Sequence, residues 1–169
     1  RRPALLQEAA VRSRLLASLG RPNFVEAAFA ADALRSAFLA SGGASPWAAE
    51  AVREAAARAA EPDRFWTARV ACIRFLTAVL SSRPDPSDGA ADAAEEAIVL
   101  LAGSPGFPGE IHHVRRAVLE GLGKCRVRGA AALEAAIRSV GEGDLPAAAG
   151  AAAAFPELLP LVDGRGAKG

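Results

Sequence analysis

An all-α fold, read as a right-handed stack of about four helical hairpins, is predicted by three observations. Gly and Pro punctuation cuts the chain into segments of helical length, and no run of alternating β-branched residues is bounded by hairpin turns. The second helix of each pair recurs near Phe24, Phe65, Ile111 and Leu145, at intervals of 41, 46 and 34 residues. Such spacing belongs to two-helix repeats, in which each unit buries its apolar face by stacking on the next.

Taken in order, the helices are expected at Pro3 to Leu19, Asn23 to Ala40, Pro46 to Ala60, Arg64 to Ser81, Asp88 to Ala102, Glu110 to Lys124, Ala130 to Val140 and Leu145 to Phe155. Ser45 before Pro46 reads as a side-chain cap ahead of a first-turn proline, while Gly20, Gly103 and Gly141 sit where a left-handed stop belongs. Asp88, Asp92, Glu95 and Glu96 crowd the start of the fifth helix, where the dipole favours anions. Two stripes at helical spacing mark the central core: Trp66, Val70, Ile73, Leu76 and Leu80, and then Ile111, Val114, Val118 and Leu122.

The 169 residues suffice for one ordinary domain, here residues 1–162, with 163–169 as a flexible tail or linker. Alanine is very abundant and Arg outnumbers Lys by 18 to 2, the mark of GC-rich coding, so the seven Phe stand against the bias and are expected to pack. A chain with no Met that opens on "RRPALL" reads as a processed mature protein or a piece of a longer one, the piece being the favoured expectation, and its localisation stays open. A net charge of +1 argues against a partner held by the whole surface, such as a nucleic-acid coat. The longest uncharged run, Leu145 to Pro156, is too short to span a bilayer, so a soluble chain is expected.

Aligning the second helices places "AAFAADALRSAFL", "ARVACIRFLTAVL" and "VRRAVLEGLGKC" in register, with Ala30, Ala71 and Ala117 at one position where a small residue lets helices approach closely. This pattern resembles HEAT-type repeats, whose second helix commonly reads Val-Arg-x-Ala followed by Leu-Gly. "VRRAVLEGLG" carries the match best and "ARVACIRFL" after "EPD" follows it, so the resemblance is specific from Pro62 to Gly129. It implies an α-solenoid. It also implies a ladder between repeats in which the family's loop aspartate and helix arginine map to Asp63 with Arg69 and to Glu110 with Arg115. The first unit departs from the pattern, with Ala28 in place of the arginine, and the fourth is nearly all Ala.

Chemistry-bearing residues gather between Ile111 and Gly129. His112 and His113 are neighbours about 100° apart on a helix, whereas helical metal pairs sit at i and i+4; those positions hold Arg116 and Ala117, so no metal site is expected. Cys72 and Cys125 are too few for a zinc site. The repeat alignment puts them two turns apart on helices about 10 Å apart, beyond disulfide reach. Cys125 reads as a small buried residue, although Lys124 and Arg126 beside it would lower the pKa of an exposed thiol. Arg116, Lys124, Arg126 and Arg128 form a basic cluster at a helix end. No aromatic residue interleaves them to stack bases, so an acidic protein surface is the expected partner ahead of nucleic acid.

No Gly-rich phosphate loop and no nucleophile elbow occurs, so no catalytic residue and no cofactor is assigned. The expected function is a non-catalytic scaffold for protein–protein interaction, or a structural subunit of a larger assembly. Two alternatives rest on resemblance. "FVEAAFAADAL" and "VRRAVLEGLG" are similar to the helical C-terminal region of some zinc aminopeptidase-like proteins. The repeats are also similar to HEAT-like lyase subunits that handle phycobilin chromophores.

Overall fold

The computed structural model describes residues 9–43, 45–82 and 89–166, and these residues hold nine α-helices, three short 3-10 turns and no strand. The helices are α1 (Ala9–Leu19), α2 (Phe24–Ala40), α3 (Ala48–Ala60), α4 (Trp66–Ser82), α5 (Ala90–Gly103), α6 (His112–Leu122), α7 (Gly129–Ser139), α8 (Leu145–Ala152) and α9 (Leu159–Gly166). The expected starts of the first and fifth helices, at Pro3 and Asp88, lie outside the described residues. The chain forms two compact units, Arg1–Ala94 and Glu95–Gly169, with α5 running across the division.

In the first unit α2 packs against α1 and α4, and α3 packs against α4. Helix α4 is buried nearly all round, through Ala68, Val70, Ala71, Cys72, Ile73, Phe75, Leu76, Val79 and Leu80, because α2 and α3 both lie on it. Alanines make that sandwich close. Ala48, Ala51, Ala55 and Ala59 of α3, with Val52, form its buried stripe, and Ala27, Ala30 and Ala31 do the same on α2. Large anchors fill what the alanines leave: Phe38 meets Trp47 and Phe75 edge to face, at ring separations of 6.3 and 6.1 Å.

The two arginines near the start of α4 close the ends of earlier helices. Arg64 donates to the carbonyls of Leu19 (2.9 Å), Gly20 and Arg21 beyond α1, and to the Glu61 carboxylate at 2.6 Å. Arg69, buried, donates Nε to Ala59 O at 2.9 Å at the end of α3. Both supply cationic donors where a helix leaves its last carbonyls without partners.

In the second unit α6 packs against α7, α8 and the turn Glu142–Asp144, and α8 packs against α9. Val114, Val118 and Leu122 are buried as their spacing predicts, while Ile111 at the head of that stripe is exposed. A side chain on Gly123 would put Cβ 2.9 Å from the Ala151 backbone, so this glycine is what lets α6 and α8 touch.

The punctuation reads differently at three points. Ser45 is buried and its hydroxyl bonds to Ser41 at 2.8 Å, so α3 starts at Ala48 without a side-chain cap. Among the described residues the left-handed glycines are Gly42, Gly43 and Gly89, not Gly20, Gly103 or Gly141. At the end of α2 Gly43 is required twice over, since its φ is +84° and a Cβ there would lie 2.8 Å from Ser82. The ninth helix, α9, is the one missed in the sequence; its "LPLVDGRG" carries a proline that the first turn of a helix tolerates.

Most of the phenylalanines pack: Phe38, Phe75 and Phe107 are fully buried, and Phe24 and Phe65, each partly exposed, lie ring on ring with centroids 4.3 Å apart, whereas Phe29 is 76 % exposed. Helix α2 buries the face carrying Ala27, Ala30, Leu34 and Phe38, and Phe29, two residues on from Ala27, points the other way.

Candidate functional site

The second unit brings the residues between Ile111 and Gly129 together around two buried carboxylates, Glu95 and Asp144. Glu95, on α5 and 8 % exposed, accepts three successive backbone N–H groups: Arg126 N at 3.0 Å on Oε2, then Val127 N at 2.9 Å and Arg128 N at 2.6 Å on Oε1. Those groups lead straight into α7, whose own N-cap position, Arg128, supplies no side-chain cap. A carboxylate from another helix therefore does the capping, at the end where unpaired N–H groups and the dipole both favour an anion. Burial pushes the Glu95 carboxyl upward, yet the three N–H bonds, helped by the charge of Arg128, outweigh it and hold the group below its ordinary 4.5.

With its amides turned inward to Glu95, the loop sends its side chains outward. Lys124, Arg126 and Arg128 are exposed, and Val127 between the two arginines is 85 % exposed. Beneath the loop, a Cβ on Gly129 would lie 2.6 Å from that of Cys125 and 2.8 Å from the Phe155 ring, so the turn is seated hard on the core. Arg116, also exposed, pairs with Glu120 one turn along α6 at 3.0 Å and is committed to its own helix.

The second carboxylate gathers the start of α6. Asp144, 1 % exposed, takes His112 Nδ1 on Oδ1 at 2.6 Å and Arg115 Nε on Oδ2 at 2.5 Å. Arg115 also donates to the Glu110 carbonyl. Of the residues that the repeat resemblance pairs, Arg115 thus meets the main chain of Glu110 and the carboxylate of Asp144; Asp63 is exposed, and Arg69 reaches Ala59 O. His113 lies edge-on to His112, with ring centroids 5.6 Å apart. Among the described residues no group of three or more His, Cys, Asp or Glu is placed to hold a metal ion.

Both cysteines are free and buried. Burial pushes Cys72 up to about 12, and burial together with the negative charge of Glu95 pushes Cys125 up to about 12. The cations beside Cys125 in sequence do not depress it, because their side chains point to solvent while the thiol points inward, toward Gly121 O at 3.5 Å.

Neither Glu95 nor Asp144 is singled out by the sequence. Glu95 reads only as one of the acids near the start of the fifth helix, and Asp144, the N-cap residue of α8, makes no side-chain cap bond there. Among the described residues no helix is long and apolar enough to cross a membrane. No family model, no curated protein and no solved structure matches this chain.

Proposed function

We propose that this chain is a non-catalytic interaction module of HEAT-like build whose loop Lys124 to Arg128 docks on an acidic protein surface. The observation that carries the reading is the Glu95 clamp. Three backbone bonds hold the loop in one conformation, so Arg126, Val127 and Arg128 are presented without the ordering cost that a mobile loop would incur on binding. Two exposed arginines around one exposed valine suit a surface with carboxylates ringing an apolar spot, and arginine is the cation best fitted to bidentate carboxylate contacts. Within each unit the second helices of successive repeats, α2 with α4 and α6 with α8, pack on one another, as a repeat reading requires.

The test uses a labelled peptide rich in Asp and Glu with one central Leu, followed by fluorescence anisotropy. Binding is expected, weaker in high salt because exposed charges are screened beyond about 8 Å at physiological ionic strength. Replacing Lys124, Arg126 and Arg128 together with Ser should abolish it without lowering the melting temperature. Equal binding by that variant would overturn the reading, and tighter binding to single-stranded RNA would move the partner class to nucleic acid.

A further inference from the structure

His112 stands in the first turn of α6 with its two ring nitrogens in opposite surroundings. Nδ1 turns inward to Oδ1 of the buried Asp144 at 2.6 Å, while the side chain as a whole is 46 % exposed. The direction of that bond follows from its neighbour. Arg115 donates Nε to the other oxygen, Oδ2, and a carboxylate paired with a guanidinium can only accept. The proton therefore sits on Nδ1, and the lone pair of the neutral ring lies on Nε2. Among the described residues no hydrogen bond engages Nε2. An outward nitrogen lone pair on a ring oriented by a buried carboxylate is the arrangement of an activated nucleophile.

We propose that His112 Nε2 is a phosphoryl-acceptor site, loaded by a donor of high transfer potential, a phosphoramidate or an acyl phosphate. Nε2 attacks phosphorus, the Nε2–P bond forms as the bond from phosphorus to the leaving group breaks, and the leaving group departs with that electron pair. Nδ1 keeps its proton throughout. The phosphorylated ring is therefore cationic, and Asp144 lies against the charge. That carboxylate would favour any electrophile, so the nearby cations decide which. Arg116 follows His112 at i+4 on the same face, and long helical side chains lean toward the helix start, so its guanidinium can reach a phosphoryl group on the ring. Its present partner, Glu120, is an exposed carboxylate at 3.0 Å, a weak pairing that a phosphoryl dianion displaces. Arg115, fixed on Asp144, adds a second positive charge one turn from the ring. An acyl group brings no negative charge for these arginines to meet. The site lies at the opposite end of α6 from the loop Lys124 to Arg128 and does not depend on it.

The experiment incubates the full chain with phosphoramidate, beside N-acetylhistidine as an internal reference, and follows the products by phosphorus NMR and peptide mapping. One acid-labile phosphoryl group is expected on Nε2 of His112, with ammonia as the other product, formed roughly tenfold or more faster than on the reference. His112→Gln should abolish it, and His113→Gln should leave it unchanged. Asp144→Asn, which keeps the shape and loses the charge, should slow loading by roughly tenfold or more. Arg116→Ser, a change at an exposed residue, should slow loading severalfold without altering the melting temperature, and it alone decides if Asp144→Asn fails to fold. A rate no greater than that of the reference, a phosphoryl group on Nδ1 or on His113 in preference to His112, or a rate indifferent to either folded variant would each overturn the proposal.

Discussion

Arg115 and Asp144 meet at 2.5 Å across the joint between α6 and the turn that precedes α8, and the carboxylate that receives the guanidinium is almost wholly out of water. A buried carboxylate is held there by its donors, and its donors are held by it. Asp144→Ala leaves Arg115 facing an apolar gap and His112 without its partner, so it should cost about 3 kcal/mol by the usual penalty for breaking a buried pair. Arg115→Ala should cost a similar amount, whereas the Ser replacements at Lys124, Arg126 and Arg128 should stay within about 0.5 kcal/mol, as exposed sites do. Chemical denaturation of the three variants distinguishes a structural arginine from three surface cations, and an Arg115→Ala variant as stable as the parent would show that the joint does not depend on this pair.

Glu95 makes the second unit sensitive to acid. Its carboxyl is held below 4.5 in the folded chain, so the stabilisation is fully present above the unfolded value and is lost as pH falls through the folded one. Melting temperature should therefore drop on acidification below about pH 4.5, and part of that drop should vanish in Glu95→Gln, which lacks the titrating group. At neutral pH the same variant should lose about 1 to 2 kcal/mol, the difference between charged and neutral acceptors for a set of buried bonds. Parallel melting curves for the parent and Glu95→Gln between pH 3 and 7 would contradict this account.

Helix placement was legible in the sequence because it is set by neighbours in the chain. Asn23 is followed by an apolar run and does accept from Val25 N at 3.0 Å and Glu26 N at 3.3 Å; the stripe Val70, Ile73, Leu76 keeps helical spacing and is buried. The hubs were not legible, because they depend on residues about thirty positions apart approaching in space. Nothing near Glu95 announces the amides of residues 126–128, and nothing near Asp144 announces Arg115. Side-chain choice among partners is equally hidden: Ser45 stands where a cap for the next helix is expected, yet its hydroxyl bonds to Ser41. The exposed Phe29 marks another limit, since periodicity tells which residues share a face but not which of two apolar faces the fold covers.

Neither thiol should react in the folded protein. Desolvation disfavours the thiolate at Cys72 and at Cys125, and both groups are pushed up to about 12, so at pH 8 the nucleophilic form is scarce as well as covered. A disulfide reagent such as DTNB should titrate no thiol in native buffer and two in urea. Rapid reaction of one thiol in native buffer would show that the loop over Cys125 opens, since Cys72 lies within the fully packed helix α4.

Two glycines of the second unit should respond to alanine with opposite signs. At Gly129 a new Cβ meets the Cys125 side chain at 2.6 Å, the Phe155 ring at 2.8 Å and Leu122 O at 2.9 Å, and the last of these is backbone that cannot swing aside. Overpacking of this kind costs about 1 to 3 kcal/mol, and here it also lifts the loop that Glu95 clamps. At Gly150, exposed within α8, a Cβ meets nothing within 4 Å, so alanine gains helix propensity and loses backbone freedom only in the unfolded chain. That change should stabilise by about 0.5 to 1 kcal/mol. Thermal melts of Gly129→Ala and Gly150→Ala, measured side by side, should move in opposite directions from the parent. A stabilised Gly129→Ala would mean that the turn does not rest on Phe155 and Cys125 as closely as these distances require.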